Sequence, residues 1–233
     1  MASWSDGEDP SSASTQAPAP ASARLRCSVR DVAGILGWIV HSGVVQGVII
    51  GATLAFLTAV VVMNLVDRRI TRTVDGWASI PVCGRPENGV LIRAACAKAL
   101  PGVNVIEEAA YWTTTRDAAG HRLDGTKTYV LRFPPGQLPP NAAFWSLTAT
   151  DTIGYMVAGQ ADRHSVDDRS GLVPNADGSV DVVLQATTPP GRAQNWLPIP
   201  NGRFKLMLRA YLPGPAVIDG TYHVPPVVEA SLA

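Results

Sequence analysis

Between Ala143 and Gly171 the chain reads AFWSLTATDTIGYMVAGQADRHSVDDRSG, an aromatic, apolar stretch running into a loop with four acids, two arginines and a histidine. The residues that could do chemistry there are Asp151, Arg163, His164, Asp168 and Arg169. A carboxylate or an imidazole can serve as a base, and a guanidinium can position an anion. The structural alternative is that Arg163 and Arg169 pair with Asp151, Asp167 or Asp168 to fix the loop, since a guanidinium grips a carboxylate at two points. Charges this close to an apolar strand need partners or water, because a bare buried charge is too costly to keep. The cluster is therefore expected to be structural first. Beyond that, two functions compete: a site where a partner or small ligand binds loop 151–171, or an enzyme acting there on a small anionic or sugar-like substrate. His164 with Asp167 and Asp168 is too thin a ligand set for a metal, and His121 and His223 lie far along the chain, so neither metal nor cofactor is expected. No P-loop, dinucleotide fingerprint, nucleophile elbow or zinc-protease helix occurs in the sequence.

Trp112, Trp145 and Trp196 carry flat faces on which a sugar could stack, Trp145 and Trp196 being the candidates nearest the loop. The competing expectation is that they fill a β core, where ring pairing adds about 0.5–1.5 kcal/mol beyond burial. In Asn195-Trp196-Leu197-Pro198 the asparagine side chain is expected to satisfy exposed backbone groups at a corner of the fold.

The elements that must position these residues are mostly strands. VNVIEEAAYWTTT at 103–115 and KTYVLRF at 127–133 carry β-branched and aromatic residues with alternation, and are expected to pair as neighbours. Glu107 and Glu108 would then point to opposite faces and could not converge on one substrate. FWSLTATD, SVDVVLQA, NWLP, FKLMLRAYL and DGTYHVPPVV supply further short strands. Asp-Gly recurs at Asp75, Asp124, Asp177 and Asp219, each between apolar runs, as hairpin and turn corners require. GVLIRAACAKAL is the one helix expected in this part, with Asn88 as its N-cap and Pro101-Gly102 as its end. Many strands and one helix imply a mainly β, jelly-roll-like β-sandwich over 87–233, with 67–86 as a linker.

The N-terminal 1–31 are rich in Ser, Ala and Pro and are expected to be a disordered tail, with Cys27 idle beside the membrane. The uncharged run 32–66 follows, and Val44 to Val66 alone is long enough to cross a hydrocarbon layer about 30 Å thick. A single transmembrane helix is the expectation, with the lipid bilayer as partner. Arg24, Arg26 and Arg30 on one side balance Arg68, Arg69 and Arg72 on the other, so flanking charge does not orient it. Cys83 and Cys96 form an even pair in the globular part, which suits a disulfide in an oxidising compartment and places the domain outside the inner membrane. From Asp75 onward ten Arg and three Lys face ten Asp and four Glu, a net charge of minus one. That argues against nucleic acid, which a basic face must grip.

The ordered blocks LDGTKTYVLRFPPGQLPP, FWSLTATD, DRHSVDDR, DGS at 177–179, NWLP, RAYLPGP and DGTYHVPPVV resemble the bacterial family called domain of unknown function 1214. The likeness covers roughly Gly89 to Val228. It implies a jelly-roll-like β domain and no particular reaction, so it assigns no catalytic residue. That family often follows domain of unknown function 1254, which has no counterpart here; a membrane helix stands in its place, as in the short membrane-anchored form. Where the family commonly has Tyr, this chain has His164.

Overall fold

The computed structural model describes residues 32, 34, 37, 38, 41–156, 163–191 and 193–230. The tail expected at 1–31, Cys27 and Asp162 lie outside the described residues. The chain divides into two compact units, 1–56 and 57–233. Helix α1, Gly43–Ile70, has no buried residue. At about 1.5 Å per residue it is about 42 Å long, so by length and composition it can cross a membrane.

Ten strands follow. Six form an antiparallel sheet in the order β1 (Arg72–Val74), β2 (Trp77–Ser79), β3 (Ala109–Thr114), β9 (Lys205–Pro213), β5 (Asn141–Thr150), β6 (Ser165–Asp167). The other four run β10 (Val227–Glu229), β4 (Tyr129–Phe133), β7 (Val180–Gln185), β8 (Trp196–Pro198), with β7 and β8 parallel. Alternation explains the faces. In β4, Tyr129, Leu131 and Phe133 are fully buried while Arg132 is exposed, and in β9 Leu206, Leu208 and Ala210 point inward between Met207, Arg209 and Tyr211. Side chains from both sheets meet in one core, with the Phe133 ring 5.7 Å from Trp145. The strands thus form a two-sheet β-sandwich, preceded in sequence by one long apolar helix.

Two expectations about neighbours need correcting. β3 and β4 do not pair; β3 lies between β2 and β9, and β4 lies in the other sheet. Their alternation set which face goes inward but said nothing about partners. Glu107 and Glu108 sit in the turn before β3 rather than on a strand. The stretch expected to be a linker, 67–86, instead ends α1 and then supplies the β1–β2 hairpin. Asp75 and Gly76, at φ 50° and 81°, make the left-handed turn that an Asp-Gly pair favours, and Trp77 beyond it is only 2% exposed.

Helix α2, Val90–Ala99, buries Ala95 and Cys96. Its N-cap is Gly89 and not Asn88, whose side-chain amide donates to the Val82 carbonyl at 2.6 Å. A disulfide joins Cys96 to Cys83 across Cα atoms 5.6 Å apart, tying α2 to the loop after β2. A further short helix, α3, Pro215–Ile218, has Gly214 as N-cap and Pro215 in its first turn, where a missing N–H costs nothing.

The remaining Asp-Gly corners share one device. Asp124, Asp177 and Asp219 are each followed two positions later by Thr126, Ser179 and Thr221, and each carboxylate accepts from both the backbone N–H and the hydroxyl of that residue. Between them, Gly125 packs so closely on the Pro200 carbonyl that no Cβ could stand there. The Thr126 N–H lowers the Asp124 pKa, and the Ser179 and Thr221 hydroxyls lower those of Asp177 and Asp219. A carboxylate with a depressed folded pKa gives stability above its unfolded value and loses it as pH falls through the folded one. Thermal unfolding followed down through the carboxylate range should show a falling midpoint, and replacing the three aspartates with Asn should flatten that dependence.

Candidate functional site

The charged loop does not converge. Asp151 turns back on its own chain, its Oδ1 accepting the N–H groups of Ile153, Gly154 and Tyr155 at 2.7–2.9 Å. These bonds, that from Tyr155 foremost, hold its pKa below the ordinary carboxylate value. Arg163 reaches across to another segment, donating to the carbonyls of Ala193 at 2.6 Å and Gln194 at 2.7 Å. Burial lowers its pKa, and Asp167 opposes that shift. His164 and Asp168 are exposed. Arg169 is exposed too, with its guanidinium 5.4 Å from the centre of the Phe144 ring. Among the described residues no hydrogen bond or ion pair joins Asp151, Arg163, His164, Asp168 and Arg169 to one another. The arginines hold the loop through carbonyls and a ring where carboxylates were expected.

This geometry separates the two arginines in energy. Arg163→Ala leaves two carbonyls without their charged donor and should cost about 1–3 kcal/mol. Lysine should not restore it, since one ammonium cannot copy a fork spread over two peptide groups. Arg169→Ala loses only an exposed ring contact and strands no carboxylate, so about 0.5–1 kcal/mol is expected. Urea unfolding of the two variants checks the order.

The stacking candidates are also placed elsewhere than on a surface. Trp145 is 1% exposed and Trp196 3%, the latter donating its Nε1–H to the Gln185 carbonyl at 2.8 Å. Neither offers a face to a sugar. Asn195 beside it is 7% exposed and bridges segments, accepting from the Val173 N–H and donating to the Val173 and Asp181 carbonyls.

A cavity of about 90 Å³ lies instead where the β1–β2 hairpin, the segment leading into β3 and the chain after β9 come together. On the scale of roughly 10–15 Å³ per water position it has room for about six to nine. Its walls include Trp77, Ile106, Ala110, Trp112, Val217 and Tyr222. Ile106, Ala110 and Val217 form a small apolar cluster of their own, with Trp112 and Tyr222 packed against it. Backbone carbonyls hold two of the walls. The Trp77 indole donates to the Pro225 carbonyl at 2.7 Å, and the Tyr222 N–H to the Ala216 carbonyl at 2.7 Å. Trp112 and Tyr222 meet edge to face at 5.8 Å. The Tyr222 hydroxyl donates to the Gln137 carbonyl at 3.2 Å, and burial raises its pKa. Arg72 and His223, both exposed, also line it. Such a site can hold an apolar group between aromatic walls with a cation beside it; it presents no nucleophile and base in hydrogen-bond contact.

One group of metal-ligating side chains occurs among the described residues. Ligand atoms of Asp117, His121 and Glu229 lie within 4.8 Å of one another. Of these, Glu229 is paired with the Lys127 ammonium at 2.7 Å, and the buried Asp117 carboxylate accepts the backbone N–H of His121 at 2.8 Å. The trio reads as the clasp joining the 117–121 turn to β10.

Of the residues singled out in sequence, Trp112 belongs to the cavity, as do Arg72, Cys83 and His223, which were singled out there for other reasons. Its other walls come from 72–83, 103–111 and 217–224, three distant stretches that no local motif connects. The family described as Protein of unknown function (DUF1214) matches residues 108–215, so the resemblance read from the motif blocks holds there. A crystal structure of the VPA0106 protein from Vibrio parahaemolyticus is similar at 28% identity and a TM-score of 0.53, covering 62% of this chain and 36% of that one. The chain therefore spans about a third of that relative's length. A putative uncharacterized protein from Burkholderia cenocepacia also aligns, at 15% identity over 75% of this chain and 49% of that chain, with a TM-score of 0.35. No curated protein matches the chain.

Proposed function

We propose that this chain is a membrane-tethered binding domain of the bacterial cell envelope that takes a small apolar ligand into the cavity behind the β1–β2 hairpin. The observation that carries the reading is the cavity itself: a mostly apolar space with two tryptophans and two tyrosines in its walls, in a molecule where Asp151 and Arg163 of the charged loop are bonded to backbone groups. Pockets that bind small molecules are mostly apolar with a few placed polar groups, and Arg72, His223 and Tyr222 answer to that description. In this reading the anchor occupies 32–66, the sandwich starts at Arg72, its topology is jelly-roll-like, and loop 151–171 is an edge of the scaffold.

The Cys83–Cys96 disulfide supports a domain exported from the inner membrane, since disulfides persist in oxidising compartments. Protease added to spheroplasts should then digest the sandwich; a domain that survives until the membrane is lysed would reverse the orientation. For the binding itself, the full-length chain would be screened by native mass spectrometry against small apolar compounds. Ala110→Phe, which fills the cavity, should weaken binding at least about tenfold, the loss of roughly two buried methylenes of contact. Arg163→Ala and His164→Ala should leave it unchanged. Binding that follows Arg163 and His164 but ignores Ala110 would move the site to the loop.

A further inference from the structure

We propose that the ligand is a single-chain anionic amphiphile, its apolar end in the cavity and its head group against Arg72, taken up at the membrane surface. The inference rests on the cavity being the binding site and adds the class of ligand and its source.

Three observations lead there. The walls are mostly apolar or aromatic, with Arg72, Ser79 and His223 as polar groups, and the space suits the end of a short chain better than a whole sugar, which would need polar partners all round. Beside it stands a cation with nothing to neutralise it: Arg72 is exposed, takes part in no ion pair among the described residues, and its guanidinium lies 3.5 Å from where a Cβ on Gly220 would stand. His223 lines the same space. The third observation is chain distance. Arg72 follows the end of α1 by two residues, and from Val66, the last apolar residue before Asp67, it is six residues away. Four helical and two extended steps span about 13 Å at most. The polar layer on each side of a bilayer is about 5–7 Å thick, so if α1 spans the membrane, Arg72 stands at or just beyond the head groups. An anion with a hydrocarbon chain is the solute that this layer concentrates, and no residue of the charged loop is needed to recognise it.

The test uses the full-length chain in zwitterionic nanodiscs, with Trp4→Phe and Trp38→Phe to silence the tryptophans outside the sandwich. Alkanoates brominated at the chain end quench Trp77 and Trp112 only when that end enters the cavity. Affinity should rise about fourfold per methylene until the space is full and then level off. Arg72→Gln should lower alkanoate affinity about fivefold, the scale of an exposed ion pair, and leave the matching alkanols unchanged. Ala110→Phe should remove quenching by both, and Val217→Phe, which fills the space from α3, should do the same if the first variant misfolds. A brominated phospholipid placed in the bilayer separates the sources: quenching by it alone identifies a bilayer lipid chain, and quenching only by added alkanoate identifies a free fatty acid. Indole, followed by equilibrium dialysis, separates the two levels of the claim. If indole binds in an Ala110-dependent way and no chain does, the cavity stands as the site and the amphiphile is wrong. If neither binds in that way, both are wrong.

Discussion

Trp145→Ala is expected to destabilise the sandwich by about 3–5 kcal/mol, the range for removing a buried tryptophan when its surroundings cannot collapse into the space. Trp145 is 1% exposed and lies against Phe133 of the opposite sheet at 5.7 Å, so its loss opens a void between sheets that the backbone pairing on both sides holds apart. The same change should leave ligand binding untouched in whatever fraction stays folded. Trp112→Ala should behave the other way round. Trp112 is half-buried, faces the cavity and meets Tyr222 edge to face, so its truncation removes a wall of the site and one ring pair, the pair worth about 0.5–1.5 kcal/mol. Chemical denaturation and ligand titration of the two variants, read side by side, would tell a core tryptophan from a binding one.

The second large effect belongs to Asn195. Its amide closes three hydrogen bonds, one from the Val173 N–H and two to the Val173 and Asp181 carbonyls. Asn195→Ala should cost about 2–4 kcal/mol, because three hydrogen bonds of a buried amide are lost at about 0.5–1.5 kcal/mol each. Asn195→Asp should be at least as damaging near neutral pH. A carboxylate keeps the bond from the Val173 N–H but turns an acceptor toward two carbonyls, and it should recover part of the loss only at a pH low enough to protonate it. A variant at full stability in urea would mean that the loop before β7 and the turn before β8 are held together by something else.

How much of this could be read from the chain divides along a physical line. Strand faces were legible because alternation is local: Tyr129, Leu131 and Phe133 announce an inward face by spacing alone, and they are fully buried. The role of Asn195 was legible because a side-chain amide beside a corner has few other uses. Strand partners were not. β3 and β4 looked like neighbours because they follow each other, yet partner choice depends on which faces must share a core, and β9 rather than β4 supplies the edge that β3 needs. The charged loop attracted attention because charge is visible in a sequence, whereas the carbonyls of Ala193 and Gln194 that occupy Arg163 belong to every residue and mark none. The cavity was hidden for a related reason. An apolar residue lining an empty space and one filling a core have the same letter, and here the walls come from three separated segments, one of which, 72–79, read as a linker.

The central claim, that the cavity and not loop 151–171 takes the ligand, is tested most directly by hydrogen exchange on the full-length chain with and without the tightest-binding compound of the screen. Ligand in the cavity should slow exchange of the amides in β1, β2, 103–112 and 215–224, and leave 151–156 and 163–171 as they were. Protection confined to 151–156 and 163–171, with the cavity segments unchanged, would contradict it.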